Sequence, residues 1–241
     1  MSKPEGSATV VLVHGAFADA SSWAPVLADL RASGVSAVAP PNPLRGVAAD
    51  AAYIASFVSQ IQGPVVLVGH SYGGAVVTVA GAATDNVTAL VYVAAFIPDV
   101  GESLGEINAR FADMPLGAAL RPGAYPLSTP GETSVELSIA PELFPSVFAA
   151  DVPAEVLGQA AYCQRPAAVS AFEEKAQAAA WKTLPSWTVV ATSDLCIDPA
   201  AERSMAERAG SQTIEVDASH AIALSQPRAV ADLIRSALAG P

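Results

Sequence analysis

The residues best suited to chemistry in this chain begin with a serine between two glycines. Residues 69–73 read Gly-His-Ser-Tyr-Gly, after an apolar run at 65–68 and before a small, apolar segment at 74–83. The run predicts a buried strand, and the segment predicts a helix. A Gly-x-Ser-x-Gly pattern at a sharp strand-to-helix turn exposes the serine hydroxyl. The bare pattern is common, but this context indicates that Ser71 is a nucleophile.

A serine hydroxyl is a weak nucleophile and needs a base within hydrogen-bonding reach. The chain has three histidines. His14 follows the first apolar strand, and His70 is adjacent to Ser71 on a turn that points neighbouring side chains apart. His220 follows the last strand, and the carboxyl ends of parallel strands open on one edge of a sheet. We therefore predict His220 as the base, the alternative being a surface-loop histidine.

A third residue, a carboxylate, should hold the imidazole in one tautomer. Asp194 follows the strand predicted at 187–191 by a short turn, and we prefer it as the acid. Asp99, which follows the preceding strand, is the rival. Asp198 precedes a proline and is more typical of a helix N-cap, and Asp217 lies too close to the histidine along the same loop.

An oxyanion hole needs two backbone N–H groups. Tyr72 directly follows the nucleophile at the start of a helix, so its N–H is the first candidate. The loop at 14–17 follows the first strand, and Ala16 is the second candidate. The small Gly15 allows the backbone to approach a substrate closely.

Apolar strands alternate with helices along most of the chain, which predicts an α/β fold with a mostly parallel sheet and helices on both faces. Ser21 or Ser22 is the predicted N-cap of the first helix, and Ser225 that of the last. The predicted strands are residues 8–13, 35–39, 65–68, 87–94, 187–191 and 213–216. The predicted helices are residues 23–32, 47–61, 74–83, 199–209 and a final helix after 225.

The alternation stops in a proline-rich segment at 98–185, where we find no clear buried strand. Short helical stretches are predicted there, at 154–161 and 167–180. We interpret the segment as a helical cap inserted into a core formed by 1–97 and 186–241. The alternative is a loosely organised second domain. An apolar lid of this kind suits the covering of a pocket.

Composition excludes several classes of function. With 241 residues, 52% of them hydrophobic and 15% charged, the chain can form one large domain. The net charge of −11 disfavours nucleic acid as a partner. No apolar run reaches about 18 residues, so no membrane span is predicted. Residues 1–6 lack the pattern of a signal peptide, so we expect a cytoplasmic protein. Two cysteines are too few for a disulfide framework, and the three histidines lack metal-ligand spacing.

Four segments together resemble the α/β-hydrolase superfamily. They are Val-Leu-Val-His-Gly-Ala-Phe at 11–17, Gly-His-Ser-Tyr-Gly-Gly at 69–74, Ala-Thr-Ser-Asp at 191–194 and Asp-Ala-Ser-His at 217–220. The likeness is greatest to small esterases related to plant methyl-ester esterases and hydroxynitrile lyases. It spans nearly the whole chain and is least specific in the cap. The resemblance implies a triad of Ser71, His220 and Asp194 and an oxyanion hole at Ala16 and Tyr72.

Two positions distinguish the esterase branch of this superfamily from the hydroxynitrile lyase branch. The lyases carry a threonine where Gly15 stands here, and a lysine directly after the catalytic histidine, where this chain has Ala221. Both departures favour the esterase side over cyanohydrin cleavage. The epoxide and haloalkane branches use an aspartate nucleophile, which Ser71 disfavours.

The expected function is hydrolysis of a small apolar or aromatic carboxylic ester through an acyl-enzyme, without a metal or organic cofactor. The same triad would also serve lactone opening, C–C bond hydrolysis or acyl transfer. A ligand-binding protein that kept the fold and lost turnover is a further alternative. The predicted substrate-pocket residues are aromatic: Phe17, Trp23, Phe96 and Phe144.

Overall fold

The computed structural model describes residues 8–240, so the signal-peptide prediction, which falls on residues 1–6, lies outside the described residues. The strands within this range are β1 (Thr9–Val13), β2 (Ser36–Val38), β3 (Val65–Ser71), β4 (Val87–Ala95), β5 (Leu120–Pro126), β6 (Thr133–Ile139), β7 (Ala167–Ala168), β8 (Ser186–Ala191) and β9 (Gln212–Val216). Six of them form one sheet in the order β2-β1-β3-β4-β8-β9. All its neighbouring strands are parallel, as predicted.

Helices follow most of these strands. They are α1 (Ala24–Ala32), α2 (Val47–Ser59), α3 (Tyr72–Ala80), α4 (Leu104–Asn108), α5 (Leu116–Ala119), α6 (Phe144–Phe148), α7 (Ala154–Leu157), α8 (Ala160–Cys163), α9 (Ser170–Glu173), α10 (Pro199–Arg208), α11 (Ile222–Ser225) and α12 (Pro227–Ala239). Short 3₁₀ turns span Ala20–Trp23, Gly81–Ala83 and Ala180–Lys182. No helix within residues 8–240 is both long enough and apolar enough to cross a membrane.

The sheet is buried on both faces because its strands are almost entirely apolar. Successive residues of β1 alternate between two cores: Val10 packs with side chains of α1 and α12, and Val11 packs with side chains of α2 and α3. Both valines are fully buried. Burying a side chain of this size contributes about 1.5–3 kcal/mol. The prediction of helices on both faces is confirmed.

Two helix starts differ from the predictions. Asp19, rather than Ser21 or Ser22, caps the 3₁₀ turn before α1, because its carboxylate accepts the Ser21 N–H at 2.7 Å. The final helix has its N-cap at Gln226, and Ser225 instead ends α11. A proline at the first position of α12 sets that start, since proline suits the first helical residue.

The inserted segment at 98–185 is not purely helical, which corrects the prediction of a helical cap. It contains a three-stranded sheet, with β5 antiparallel to β6 and β6 antiparallel to β7. The hairpin is largely exposed, so its strands lack the apolar runs of the main sheet. Two prolines and a glycine in β5 further lower its apparent strand propensity.

The predicted helices of this segment are also shorter than expected. The stretch at 154–161 divides into α7 and α8 at Gly158, which has a φ of +53°. Only Ser170–Glu173 is α-helical within 167–180, and a 3₁₀ turn begins at Ala180. Alanine-rich sequence thus favours helix here, but glycine and tertiary contacts interrupt it.

Candidate active site

Ser71 lies at the junction of β3 and α3, where the chain turns sharply. Its φ of +53° and ψ of −124° are unusual for a residue with a side chain. The flanking glycines are required by close packing. A Cβ on Gly69 would lie 2.4 Å from the Gly73 carbonyl oxygen, and one on Gly73 would lie 2.4 Å from that of Val13. The predicted strand, turn and helix are therefore present, with the serine at the turn.

His220 and Asp194 form a buried pair at the same edge of the sheet. The Nδ1 atom of His220 lies 2.5 Å from Oδ2 of Asp194, and each residue is only 2% exposed. The other carboxylate oxygen, Oδ1, accepts the N–H groups of Cys196 at 2.6 Å and Ile197 at 3.0 Å. Both oxygens are thus held, so the carboxylate is oriented toward the ring. A bond at Nδ1 leaves Nε2 as the ring nitrogen for a nucleophile.

The other aspartates considered from the sequence have different partners. Asp99 forms an ion pair with Lys182 at 2.5 Å, and the lysine lowers the pKa of the Asp99 carboxyl. Asp198 caps α10 by accepting the N–H of Ala200 at 2.8 Å, as predicted. Asp217 accepts the Ser193 hydroxyl at 2.7 Å. Asp194 is the one of the four that contacts a histidine.

The two remaining histidines have structural partners. Nε2 of His14 accepts the N–H of Asn42 at 2.9 Å, and burial lowers the pKa of His14 to about 4. Burial likewise lowers the pKa of His70 to about 3. The neutral His70 donates from Nε2 to the backbone carbonyl of His220 at 2.9 Å. His70 therefore holds the His220 loop against the serine turn, a role that the sequence analysis missed.

The loop at 14–17 packs directly on the serine turn. A Cβ on Gly15 would lie 2.7 Å from the Cβ of Ser71 and 3.0 Å from the carbonyl oxygen of His70. Ala16 is buried in this loop, and Tyr72 begins α3, whose N-terminus favours negative charge. Of the two residues predicted to supply the oxyanion hole, Tyr72 directly follows Ser71, and Ala16 directly follows Gly15, which packs on Ser71. That their N–H groups bind an oxyanion stays a prediction.

The sequence of nearly the whole chain matches one protein family. A model of the alpha/beta hydrolase family matches residues 10–233. The chain belongs to the α/β hydrolase family. This confirms the resemblance stated from the sequence. No curated protein matches the chain.

Several solved structures are similar to this chain in fold. A pyrethroid hydrolase from Sphingobium faniae JZ-2 is 21% identical, with a TM-score of 0.79 and 98% of each chain covered. Polyneuridine aldehyde esterase is 21% identical with a TM-score of 0.81, covering 96% of this chain and 99% of its own. The methylesterase MES16 from Arabidopsis is 21% identical with a TM-score of 0.78, and the match covers 96% of this chain and 98% of the MES16 chain.

In this α/β hydrolase, a side chain at position 15 has no space. We expect Gly15→Thr to lower kcat/KM by about 10²-fold, because displacement of reacting groups by about 1 Å has that effect. The clash with Ser71 should also lower stability by about 1–3 kcal/mol. Steady-state kinetics and thermal unfolding measure both. The control is Gly123→Ala, since a Cβ there has no atom within 4 Å. Wild-type kcat/KM in the threonine variant would contradict the close approach.

The side chain of Tyr72, the residue after Ser71, is anchored by hydrogen bonding. Its hydroxyl donates to Oδ2 of Asp50 at 2.7 Å, and Asp50 also accepts the Arg45 N–H at 3.0 Å. Asp50 is fully buried, and burial raises the pKa of both Tyr72 and Asp50. From the sequence, only the backbone N–H of Tyr72 was expected to have a role. The signal in the sequence for its side-chain bond is a single aspartate on the apolar face of α2.

Two cavities lie next to the loop at 14–17, and Ser71 and His220 are not among the described residues that line them. A cavity of about 700 Å³ is lined by side chains including Phe17, Leu137, Phe172 and Cys196. A second cavity, of about 320 Å³, has Phe17 in its lining together with Phe144, Phe148 and Leu224. Both cavities therefore adjoin the loop that carries Ala16, and they are mainly apolar.

The predicted pocket residues separate into two groups. Phe17 lines both cavities, and Phe144 lines the smaller one. Trp23 is fully buried in the core next to α1, with its ring edge-on to that of His70 at 6.2 Å. Phe96 is buried in the second core, with side chains of α2 and α3, and donates its N–H to the Ser71 carbonyl at 3.2 Å. Phe148, which was not predicted, lies edge-on to the His220 ring at 4.9 Å.

Three residues at this site have side chains of the types that bind metal ions. Ligand atoms of Asp194, Cys196 and His220 lie within 4.8 Å of one another. However, Asp194 and His220 bond to each other, and the Cys196 thiol donates to the carbonyl of Val147 at 3.2 Å. Burial raises the pKa of that thiol, and metal binding requires a thiolate. The chemistry of these donors fits a hydrogen-bonded pair better than a metal centre.

Proposed function

We propose that this α/β hydrolase cleaves carboxylic esters of small apolar or aromatic substrates through an acyl-enzyme on Ser71. The observation that carries the proposal is the buried 2.5 Å contact between His220 and Asp194 at the edge where Ser71 lies. A histidine oriented through Nδ1 is equipped to take a proton from a serine at Nε2. The positive φ of Ser71 is the backbone state expected of a nucleophile at a sharp strand-to-helix turn.

The reaction has two halves. In the first, the Ser71 oxygen bonds to the ester carbonyl carbon, its proton passes to Nε2 of His220, and the carbonyl electrons move to the oxygen. The N–H groups of Ala16 and Tyr72 stabilise that oxyanion. When the tetrahedral intermediate collapses, the C–O bond to the alcohol breaks and His220 protonates the leaving oxygen. In the second half, His220 takes a proton from water, whose oxygen attacks the acyl carbon, and Ser71 recovers its proton as the acid leaves.

The two apolar cavities that Phe17 lines support the proposed substrate class. Their volumes of about 700 and 320 Å³ suit an ester with two unequal apolar parts. Similar folds occur in proteins named as a pyrethroid hydrolase, an esterase and a methylesterase, which supports ester hydrolysis. Ala221 supplies no cation beside His220, which continues to disfavour cyanohydrin cleavage.

A fluorophosphonate probe tests the nucleophile directly. We expect the folded protein to form one covalent adduct on Ser71, located by mass spectrometry after proteolysis, because the probe reacts with an activated serine. Ser71→Ala should abolish the adduct. The protein should also hydrolyse apolar and aromatic p-nitrophenyl esters, and esters with charged acyl groups should react more slowly. Absence of an adduct from folded wild-type protein would contradict the proposed function.

A further inference from the structure

Glu202 is a buried acidic residue for which the proposed mechanism has no use. It lies in the first turn of α10, is 0% exposed and faces the end of β8. Glutamate is almost never fully buried unless it is paired. An isolated ionised carboxylate would carry a large desolvation cost at this position. The state of this carboxyl group therefore needs a physical account.

The contacts of Glu202 are those of an unionised acid. Oε2 accepts the N–H of Ala191 at 3.3 Å, while Oε1 receives no hydrogen bond from any donor among residues 8–240. The nearby cation, Arg203, is exposed and pairs with Glu215 at 2.7 and 2.8 Å, so it does not neutralise Glu202. The N–H groups at the start of α10 bond to Asp198 instead.

The neighbour that explains Glu202 is Asp194. Ala191 joins the two residues at the end of β8: its N–H bonds to Oε2 of Glu202 at 3.3 Å, and its carbonyl accepts the N–H of Asp194 at 3.2 Å. Burial, and after it the neighbouring Asp194 carboxylate, raises the pKa of Glu202. The other titratable groups near the pair are the protonated thiol of Cys196 and the imidazole of His220. Two carboxylates in contact cannot both be ionised without large repulsion, so one carries a proton. Asp194 already accepts hydrogen bonds from His220 and from two backbone N–H groups, whereas Oε1 of Glu202 has no partner among residues 8–240, so the proton is assigned to Glu202.

We propose that Glu202 is a positioning residue that donates a hydrogen bond from its carboxylic acid group to Asp194. The bond adds a further donor to the carboxylate and holds it toward His220. It also disperses the negative charge of Asp194, which limits how strongly the carboxylate stabilises a protonated imidazole. This consequence for activity rests on the proposed function of Asp194, whereas the protonated state of Glu202 does not.

Kinetics of two variants test the positioning role. Glu202→Leu removes the donor, and we expect kcat to fall by about 10-fold with little change in KM. In Glu202→Leu, the acid limb of the pH profile of kcat/KM should move to higher pH. Without the hydrogen bond from Glu202, the negative charge of Asp194 stabilises the protonated imidazole of His220 more strongly. Glu202→Gln keeps a donor and should restore most of kcat and the position of the limb. If Glu202 were ionised, the glutamine variant would instead move the limb to lower pH, which would overturn the proposal. Glu207→Gln, on the exposed side of the same helix, is the matched control.

Thermal unfolding tests the protonated state without an activity measurement. In the unfolded chain, glutamate ionises above about pH 4.3. A native Glu202 that stays protonated therefore lowers stability as pH rises above that value. The Tm of Glu202→Gln should match that of the wild type near pH 4 and exceed it by about 10 °C or more at pH 8, with the difference still growing between pH 6 and pH 8. A difference that stops growing above pH 6 would show an ionised Glu202 and overturn the proposal. A wild-type protein without esterase activity would contradict the proposed function but leave this readout intact.

Discussion

Ser71→Ala lowers kcat for ester hydrolysis by about 10⁶-fold, the loss found when a triad serine is removed. Alanine has no hydroxyl to attack the carbonyl, so only binding and the oxyanion hole remain. The fold should persist, because the substitution removes one oxygen from a side chain that is 8% exposed. Stopped assays with an active p-nitrophenyl ester, together with far-UV circular dichroism, measure both effects.

The control for this prediction is Ser59→Ala. Ser59 lies at the exposed end of α2 and donates only to the carbonyl of Ser56 at 2.9 Å. We expect wild-type kcat and KM from that variant. If Ser71→Ala kept full turnover on every active substrate, the nucleophile would be another group and the proposed acyl-enzyme would be wrong.

Asp194→Asn should lower kcat by about 10⁴-fold. The structure explains why the loss should be so large. The N–H groups of Cys196 and Ile197 require an acceptor at the Oδ1 position, so the amide oxygen of the asparagine takes it. The NH₂ group then faces Nδ1 of His220, which must accept. The ring proton moves to Nε2, and the histidine can no longer take a proton from Ser71.

Asp99→Asn is the matched comparison. It makes the same chemical change in a residue that also follows a strand of the main sheet, and it removes only a half-exposed ion pair with Lys182. Such pairs contribute about 0–1 kcal/mol, so stability should change little. We expect kcat within about twofold of the wild type, since nothing in the mechanism touches Asp99. A large loss in Asp99→Asn with little loss in Asp194→Asn would reverse the assignment of the acid.

The sequence by itself determined the features that depend on neighbours along the chain. All six strands of the main sheet are predicted to within three residues at each end, because an apolar run bounded by glycine or proline is a local signal. The turn at Ser71 is equally local, since the glycines on either side are required by the packing of one strand on the next helix. His220 could be selected because the chain has only three histidines and parallel strands share an edge.

Only the tertiary structure distinguished Asp194 from Asp99. Both follow strands that are neighbours in the sheet, β8 and β4, so sequence position alone places both near the candidate site. Which aspartate contacts His220 depends on the position of the loop after β9. In the folded chain this loop places His220 against Asp194, 26 residues away in sequence. The support of that loop by His70 spans 150 residues, and no local pattern encodes such a contact.

The hairpin of the inserted segment and the contacts of the buried carboxyl groups also depend on tertiary structure. The hairpin of β5 and β6 forms by pairing between strands rather than by local propensity, so the prolines of β5 concealed it. Asp50 and Glu202 each lie on a helix that shows nothing unusual beyond one buried acid, and the groups that bond to them, the Tyr72 hydroxyl and the Ala191 N–H, come from other elements. The local sequence thus specified the turn at Ser71 and the sheet beneath it. The contacts that hold this turn and His220 in place were specified by folding, because burial and long-range contacts exist only once the elements have packed.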